Sequence, residues 1–374
     1  MKQLTTRLML LSLAAAFTAF SSLAQDAAQS YVKFNTSTPV GTKMFAQVVP
    51  VEGSTLSFEG AHMTEEDGLP YLVIENQDIT IKGDILALNL TYGKVNSIEL
   101  NQPRMDQLAV STNNIKTLDV SKETVLGNLA CDGNPDLKAI DITNMTRLAK
   151  LDIARTSISD IDLSKCESLM YLFANRTKIT NFNLSHCPNL ITLEVAENGL
   201  ENLDLSNNKV IHFVTCYRNR LSREAVGNLI ASLFDRNPFG MDEKSVGKLF
   251  IVDMSKPDLE HNQVYSTEVK NALAKNWLVL NYNRNHSKPF LGIDKEASIS
   301  EVSGNKALKV YPDAEVLRVE NADPFSMVSV YNAHGELIMQ AFADNHGVSL
   351  MPNKIEDKGV YVVTSNSQAI KFAL

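Results

Sequence analysis

Leu126-GN-Leu129-A-Cys131-DG-Asn134, Leu148-AK-Leu151-D-Ile153-AR-Thr156, Leu169-MY-Leu172-F-Ala174-NR-Thr177, Leu190-IT-Leu193-E-Val195-AE-Asn198 and Ile211-HF-Val214-T-Cys216-YR-Asn219 are five versions of one pattern. Apolar residues recur as L-x-x-L-x-L, and an Asn or Thr closes each copy three positions later. The step is 21 residues, with one extra between Leu126 and Leu148. A fixed period of this size marks a stacked-repeat solenoid, because one copy cannot bury its apolar side alone and neighbours must supply the rest of the core. Leu108, Val110 and Asn113 stand one step earlier, and Leu88 and Leu90 form a degenerate copy before that, so seven rungs are counted.

Each rung carries a second beat, L-D-L-S: Leu118-Asp119-Val120-Ser121, Ile140-Asp141-Ile142-Thr143, Ile161-Asp162-Leu163-Ser164, Phe182-Asn183-Leu184-Ser185 and Leu203-Asp204-Leu205-Ser206. Apolar columns at both beats point inward. The Asn column (Asn113, Asn134, Asn198, Asn219) is expected to hydrogen-bond the turn backbone, with Thr156 and Thr177 as weaker substitutes. The carboxylate column with Glu99 before it is expected to be a solvated or hydrogen-bonded structural row. Calcium needs six or more oxygens from a looped site, which a straight strand does not supply.

These repeats resemble the internalin-type leucine-rich repeats of bacterial surface proteins. Tyr31-VKFNTSTPVGTK-Met44 and Ile79-T-Ile81-K-Gly83 resemble the N-terminal cap that precedes such repeats in one group of Gram-negative bacteria. Leu221-SREAVGNLIASL-Phe234, Leu249-FIVD-Met254 and Val269-KNALAKNWLVLNYN resemble the family's C-terminal flank. Val226, Leu229, Ile230 and Leu233 there fall on one helical face. From about residue 305 the 21-residue step is lost and short strands alternate with turns. Tyr311-Pro312, Val330-Tyr331-Asn332 leading into Gly335-Glu336-Leu337-Ile338, Gly359-Val360-Tyr361 and Lys371-Phe372 resemble the C-terminal sorting domain of type IX secretion, a small β-sandwich. Asp313-Ala314, where Asn-Pro is commoner, and the Ala-Leu ending depart from that pattern. The resemblance implies contact with the type IX machinery and removal of the segment during export.

The expected organisation is a signal peptide over 1–24, a β-rich cap over 25–84, and leucine-rich repeats over 85–221. An α/β cap over 222–291, a linker over 292–304 and the sorting β-sandwich over 305–374 follow. The fold class is an α/β repeat solenoid, strand-rich with short loops, followed by a small all-β sandwich. The leader is read from Lys2 and Arg7, an apolar run from Leu8 to Phe20 and the small residues of Ser22-Leu23-Ala24, too short to span a bilayer. No transmembrane segment is expected, and the destination is the cell surface or the extracellular space. The chain of 374 residues carries a formal charge of −8, and losing the leader removes only positive groups. A basic stripe for nucleic acid is therefore not expected.

Four cysteines are present. Cys131 and Cys216 occupy inward positions four rungs apart, roughly 19 Å at the strand spacing, beyond the ~7 Å that a disulfide tolerates. Cys166 and Cys187 lie one step apart in one column, where either a disulfide or two stacked free thiols fits. No catalytic constellation, metal-ligand spacing or cofactor motif stands out, so neither enzyme activity nor a cofactor is expected. Strand positions between the recurring leucines face the concave surface. There Ala109, Ser111, Ala130 and Asp132 give way to Lys150, Asp152 and Arg155, then Tyr171, Phe173 and Arg176, then Glu194 and Glu197, and finally Phe213, Tyr217 and Arg218. Exposed aromatics beside arginines are the composition of binding hot spots. Arg155, Tyr171, Phe173, Arg176, Phe213, Tyr217 and Arg218 are accordingly the expected contacts for a protein or glycan ligand. Phe213 and Tyr217 have an alternative role, sealing the junction with the C-terminal cap. The functional expectation is a secreted or surface binding protein, with a structural part of the envelope or biofilm as the alternative.

Overall fold

Each x-L-x triplet becomes a three-residue strand whose middle side chain is buried, and identical triplets stack in register. A computed structural model describes residues 30–237, 246–282, 288–290, 292, 308–312, 316–323, 326–332, 337–344, 347–352, 355, 360–365 and 368–373. The expected leader and nearly all of the 292–304 linker lie outside these.

Nine parallel strands follow one another in chain order through a single sheet, flanked at each end by an antiparallel strand. Leu88, Leu108, Leu129, Leu151, Leu172, Leu193 and Val214 pair across neighbouring strands as one buried column. The last two parallel strands, Gly247–Val252 and Trp277–Asn281, extend the column through Leu249 and Val279. They come from the expected cap, so the sheet runs two strands past the seventh rung. The outer strands Gln47–Pro50 and Lys288–Pro289 both end in proline, which has no N–H to offer a further strand and so blunts the edges.

The columns behind the sheet behave as their residue types dictate. Asn134 Nδ2 donates to Val110 O at 3.0 Å and Cys131 O at 2.8 Å, while its Oδ1 accepts from Ile115 N at 3.0 Å. One side chain thereby ties its own turn to the preceding rung, and Asn113, Asn198 and Asn219 repeat the arrangement. Asn262, in the cap, continues it by donating to Cys216 O and Ile251 O. Thr156 and Thr177 have less reach: their hydroxyls accept from Ile158 N and Ile179 N within their own rungs.

At the second beat, Asp119, Asp141, Asp162, Asn183 and Asp204 each accept the backbone N–H of the Ser or Thr two residues on. Hydrogen bonds from the Ser121 and Thr143 hydroxyls, then from their backbone amides, hold the Asp119 and Asp141 carboxyls below the usual carboxylate range, and the Ser164 amide followed by its hydroxyl does so for Asp162. Turns of this type compete with helix for the backbone. Among the described residues, helix is correspondingly missing from the rungs and occurs at Arg223–Ser232, Pro257–Leu259 and Ser266–Ala274. This corrects the α/β expectation for the repeats themselves: a 21-residue circuit closed by Asx turns leaves no length for a helix.

Antiparallel strands cap the first rung. Tyr31–Thr36 pairs with both Asp78–Lys82 and Val95–Asn101, and Gln47–Pro50 pairs with Ile85–Asn89. One hydrophobic core runs from Val32 to Val279. From Leu308 on, a three-stranded and a four-stranded antiparallel sheet bury a separate core that includes Leu317, Val319, Val328, Val330, Met351 and Val363. Among the described residues no helix is long and apolar enough to cross a membrane.

All four cysteines are buried free thiols. Burial raises every one of them, Cys166 to about 11 and Cys187 to about 12. Cys131 and Cys216 are fully inside, as their columns require.

Candidate functional site

The concave face consists of the side chains flanking each buried leucine. Register aligns Lys150, Tyr171, Thr192, Phe213 and Lys248 in one row, and Asp152, Phe173, Glu194, Thr215 and Phe250 in the next. Tyr171 is 36% exposed and Phe173 is half-buried in the middle of the sheet. The Lys150 Nζ lies 5.5 Å from the centre of the Phe173 ring, a cation–π contact. Asp152 and Glu194 flank Phe173 on the adjoining strands. Burial, then the neighbouring Asp132 charge, pushes the Asp152 carboxyl up to about 7, and burial also raises Glu194 despite its 2.7 Å hydrogen bond from Asn175.

Where each triplet turns away from the sheet, one residue per rung takes a left-handed backbone. Tyr92, Thr112, Gly133, Arg155, Arg176, Glu197 and Arg218 form this column, with φ between 51° and 67°. Glycine, the residue that adopts this conformation without cost, occurs at one of the seven. Five of the others carry long or charged side chains and the sixth is Thr112, each in the left-handed region at roughly 1–2 kcal/mol. The result is a rim of ion pairs: Arg155 with Asp132, Arg176 with Glu197 at 2.8 Å, and Arg218 with both Glu197 at 3.5 Å and Asp253.

The expected contacts therefore divide. Tyr171, Phe173, Arg155 and Arg176 are accessible on one stretch of sheet and rim, and both arginine side chains are about half exposed. Tyr217 and Arg218 are not accessible, which corrects their place among the contacts. Tyr217 stacks on Tyr282 with ring centres 4.3 Å apart, and burial raises its hydroxyl pKa. The Arg218 side chain is 9% exposed, and Glu260 accepts its backbone N–H. Phe213 is half-buried against Phe250, ring centres 5.1 Å apart. With Ala196, Leu278 and Leu280 these rings form a small apolar cluster, distinct from the main core, over the junction with the last two strands. This is the sealing role, and its physical cause is the continuation of the sheet beyond Val214.

Asp152, Glu194 and Lys150 surround the half-buried Phe173 ring and were not among the expected contacts. Their signal was their position in the concave rows, since each flanks a buried leucine. Phe250, Leu278 and Leu280 extend the same rows from the cap, with Tyr282 just past the last strand, and there the 21-residue step gives no guidance.

No protein-family model matches this sequence, and none of the curated proteins matches it. Among solved structures, the chain is similar to the functional domain of InlJ from Listeria monocytogenes, described as including a cysteine ladder. The identity is 16% over 73% of this chain and 72% of that one, with a TM-score of 0.34. It is also similar to the internalin InlF of Listeria monocytogenes, at 20% identity over 52% of this chain and 66% of that one, again with a TM-score of 0.34. Likenesses this distant carry no weight for the arrangement or for the site, which rest on the strand register and contacts above.

Proposed function

We propose that this chain is an exported leucine-rich-repeat solenoid that binds a protein or glycan on its concave face, around Tyr171 and Phe173, without a catalytic step. The observation that carries the reading is the pair of accessible aromatic rings in the middle of a parallel sheet. They stand away from the cluster that seals the C-terminal junction, in positions where burial in the core does not explain them. Aromatic rings lose little entropy on docking and dominate the energetics of interfaces. Residues 1–24 serve as the leader. Residues 305–374 fold as a small sandwich that delivers the chain through type IX secretion and is removed at the surface. The alternative, a structural part of the envelope or biofilm, uses the same face on a partner from the same cell.

The test is binding of the purified exported chain to host matrix proteins, to arrayed glycans and to the cell's own envelope fraction, each with Phe173→Ala in parallel. We expect the substitution to weaken the specific partner at least tenfold, with the thermal midpoint moved by no more than a few degrees. Binding equal to the parent in every pool removes the face from consideration. The export reading is checked by mass spectrometry of surface-exposed protein, where intact C-terminal peptides on most molecules would refute it.

A further inference from the structure

The charges on the concave face are not evenly satisfied. On the rim, Arg155 is paired with Asp132 and Arg176 with Glu197. In the row that holds Phe173, the carboxylates of Asp152 and Glu194 form no ion pair among the described residues, and their hydrogen bonds come from Ala154 N and Asn175 Nδ2. Both are half-buried, so each is partly stripped of water without a salt-bridge partner, and only the more distant charges of Lys150 and Arg155 act on Asp152. The two stand two strands apart, roughly 10 Å at the usual spacing, with the Phe173 ring between them. That ring already accepts a cation, since the Lys150 ammonium lies over it at 5.5 Å. Two carboxylates without a direct ion-pair partner, with an aromatic platform between them, are complementary to a positive group, whose attraction is stronger where water is partly excluded. The arginines that stand out in the sequence already have acidic partners within the chain. What the face lacks is a cation from outside, and the chain's net charge of −8 favours the approach of one.

We propose that the concave site takes a basic segment of a protein partner, seating one lysine or arginine side chain over Phe173 between Asp152 and Glu194, with Tyr171 packing against its neighbour. This deepens the binding reading given above and rests on it. Lys150 is the resident competitor: the incoming cation displaces its ammonium from the ring. A basic peptide is thereby distinguished from an acidic glycan, which the two carboxylates would repel.

The experiment measures fluorescence anisotropy of labelled octa-arginine and octa-glutamate against the full exported chain at physiological salt. We expect octa-arginine to bind and octa-glutamate not to. The pair Asp152→Asn with Glu194→Gln should weaken octa-arginine at least tenfold. The control pair Asp141→Asn with Asp162→Asn, which makes the same change in net charge at the second beat and retains the amide oxygen for the turn, should change it less than twofold. Lys150→Gln should tighten binding several-fold, because the competing ammonium is gone. Equal weakening by the two carboxylate pairs would reduce the effect to long-range attraction and overturn the proposal. Octa-arginine binding that Phe173→Ala abolishes but Asp152→Asn with Glu194→Gln leaves intact would overturn the cation assignment while keeping the face. A partner found by the broader binding test that is lost in Phe173→Ala and indifferent to all charge variants would do the same. Circular dichroism on each variant separates loss of binding from loss of fold.

Discussion

Replacing Asn219 tests whether the Asn column, rather than the leucines alone, holds successive turns together. Asn219 is fully buried and makes four bonds. Its Nδ2 donates to Val195 O at 2.9 Å and Cys216 O at 2.8 Å, and its Oδ1 accepts from Asn198 N and Leu200 N, both at 3.0 Å. In Asn219→Ala the two carbonyls keep other donors, Asn198 for Val195 O and Asn262 for Cys216 O. The two amides keep none among the bonds described. At about 1–3 kcal/mol for each buried donor left unpaired, the expected cost is about 2–6 kcal/mol. Asn219→Thr should fare little better, although threonine fills this column at 156 and 177. A hydroxyl there serves the amide two residues ahead, as Thr177 serves Ile179 N at 3.2 Å, and does not reach back to the preceding rung. Thr177→Ala orphans that one amide and should cost about 1–3 kcal/mol. Urea unfolding followed by circular dichroism gives the three values, and hydrogen exchange at the Asn198 and Leu200 amides reports local opening if the array does not unfold in one step. The reasoning fails if Asn219→Thr restores parental stability, or if Asn219→Ala costs no more than Thr177→Ala.

Leu172→Ala should destabilise the chain by about 2–5 kcal/mol, because its side chain is fully buried. Phe173→Ala, one residue on and half-buried under Lys150, should cost only about 1 kcal/mol; calorimetry showing equal losses would place the face wrongly. The Asp152 carboxyl is raised to about 7 by burial and by Asp132, with Lys150 and Arg155 opposing. Its folded form therefore holds a proton that the unfolded chain gives up earlier. Its contribution to stability is present below the ordinary carboxylate range and is lost as pH rises from about 4 to 7. Asp152→Asn should flatten that part of the stability profile, and an unchanged slope would show that the group is solvated. If octa-arginine docks as proposed, its affinity should climb as pH rises through about 7, where the folded Asp152 carboxyl gives up its proton, with Asp132, Lys150, Arg155 and Glu194 as the other charged groups to control for. All four thiols should resist alkylation until unfolding. Non-reducing peptide mapping should find Cys166 and Cys187 on separate peptides, and a bridged peptide would replace the stacked-thiol picture with the disulfide alternative.

Much of this protein is legible in its sequence because its information is periodic. The inward columns through Leu108, Leu129, Leu151, Leu172, Leu193 and Val214 repeat every rung, so each copy corroborates the rest, and stacking on a neighbour is the only way each apolar side is buried. The Asn column and the Asp-to-Ser turns are legible for the same reason: each acts through backbone groups at a fixed short distance along the chain or one rung away. Accessibility on the concave face is different. Phe213, Tyr217 and Arg218 lie on the same concave strands and rim as Tyr171, Phe173 and Arg176, yet Tyr217 and Arg218 are buried and Phe213 packs against Phe250, while Tyr171 and Arg176 remain exposed. Only tertiary structure decides this, because the covering groups Phe250, Asp253, Glu260 and Tyr282 lie outside the 21-residue step and arrive by long-range pairing. The same holds for charge. Sequence spacing shows arginines beside aromatics, but pairing across rungs commits those arginines to Asp132 and Glu197 and leaves Asp152 and Glu194 without an ion pair among the described residues. Period and composition determine the ladder, whereas which side chains remain available on it follows from how the last strands close the sheet.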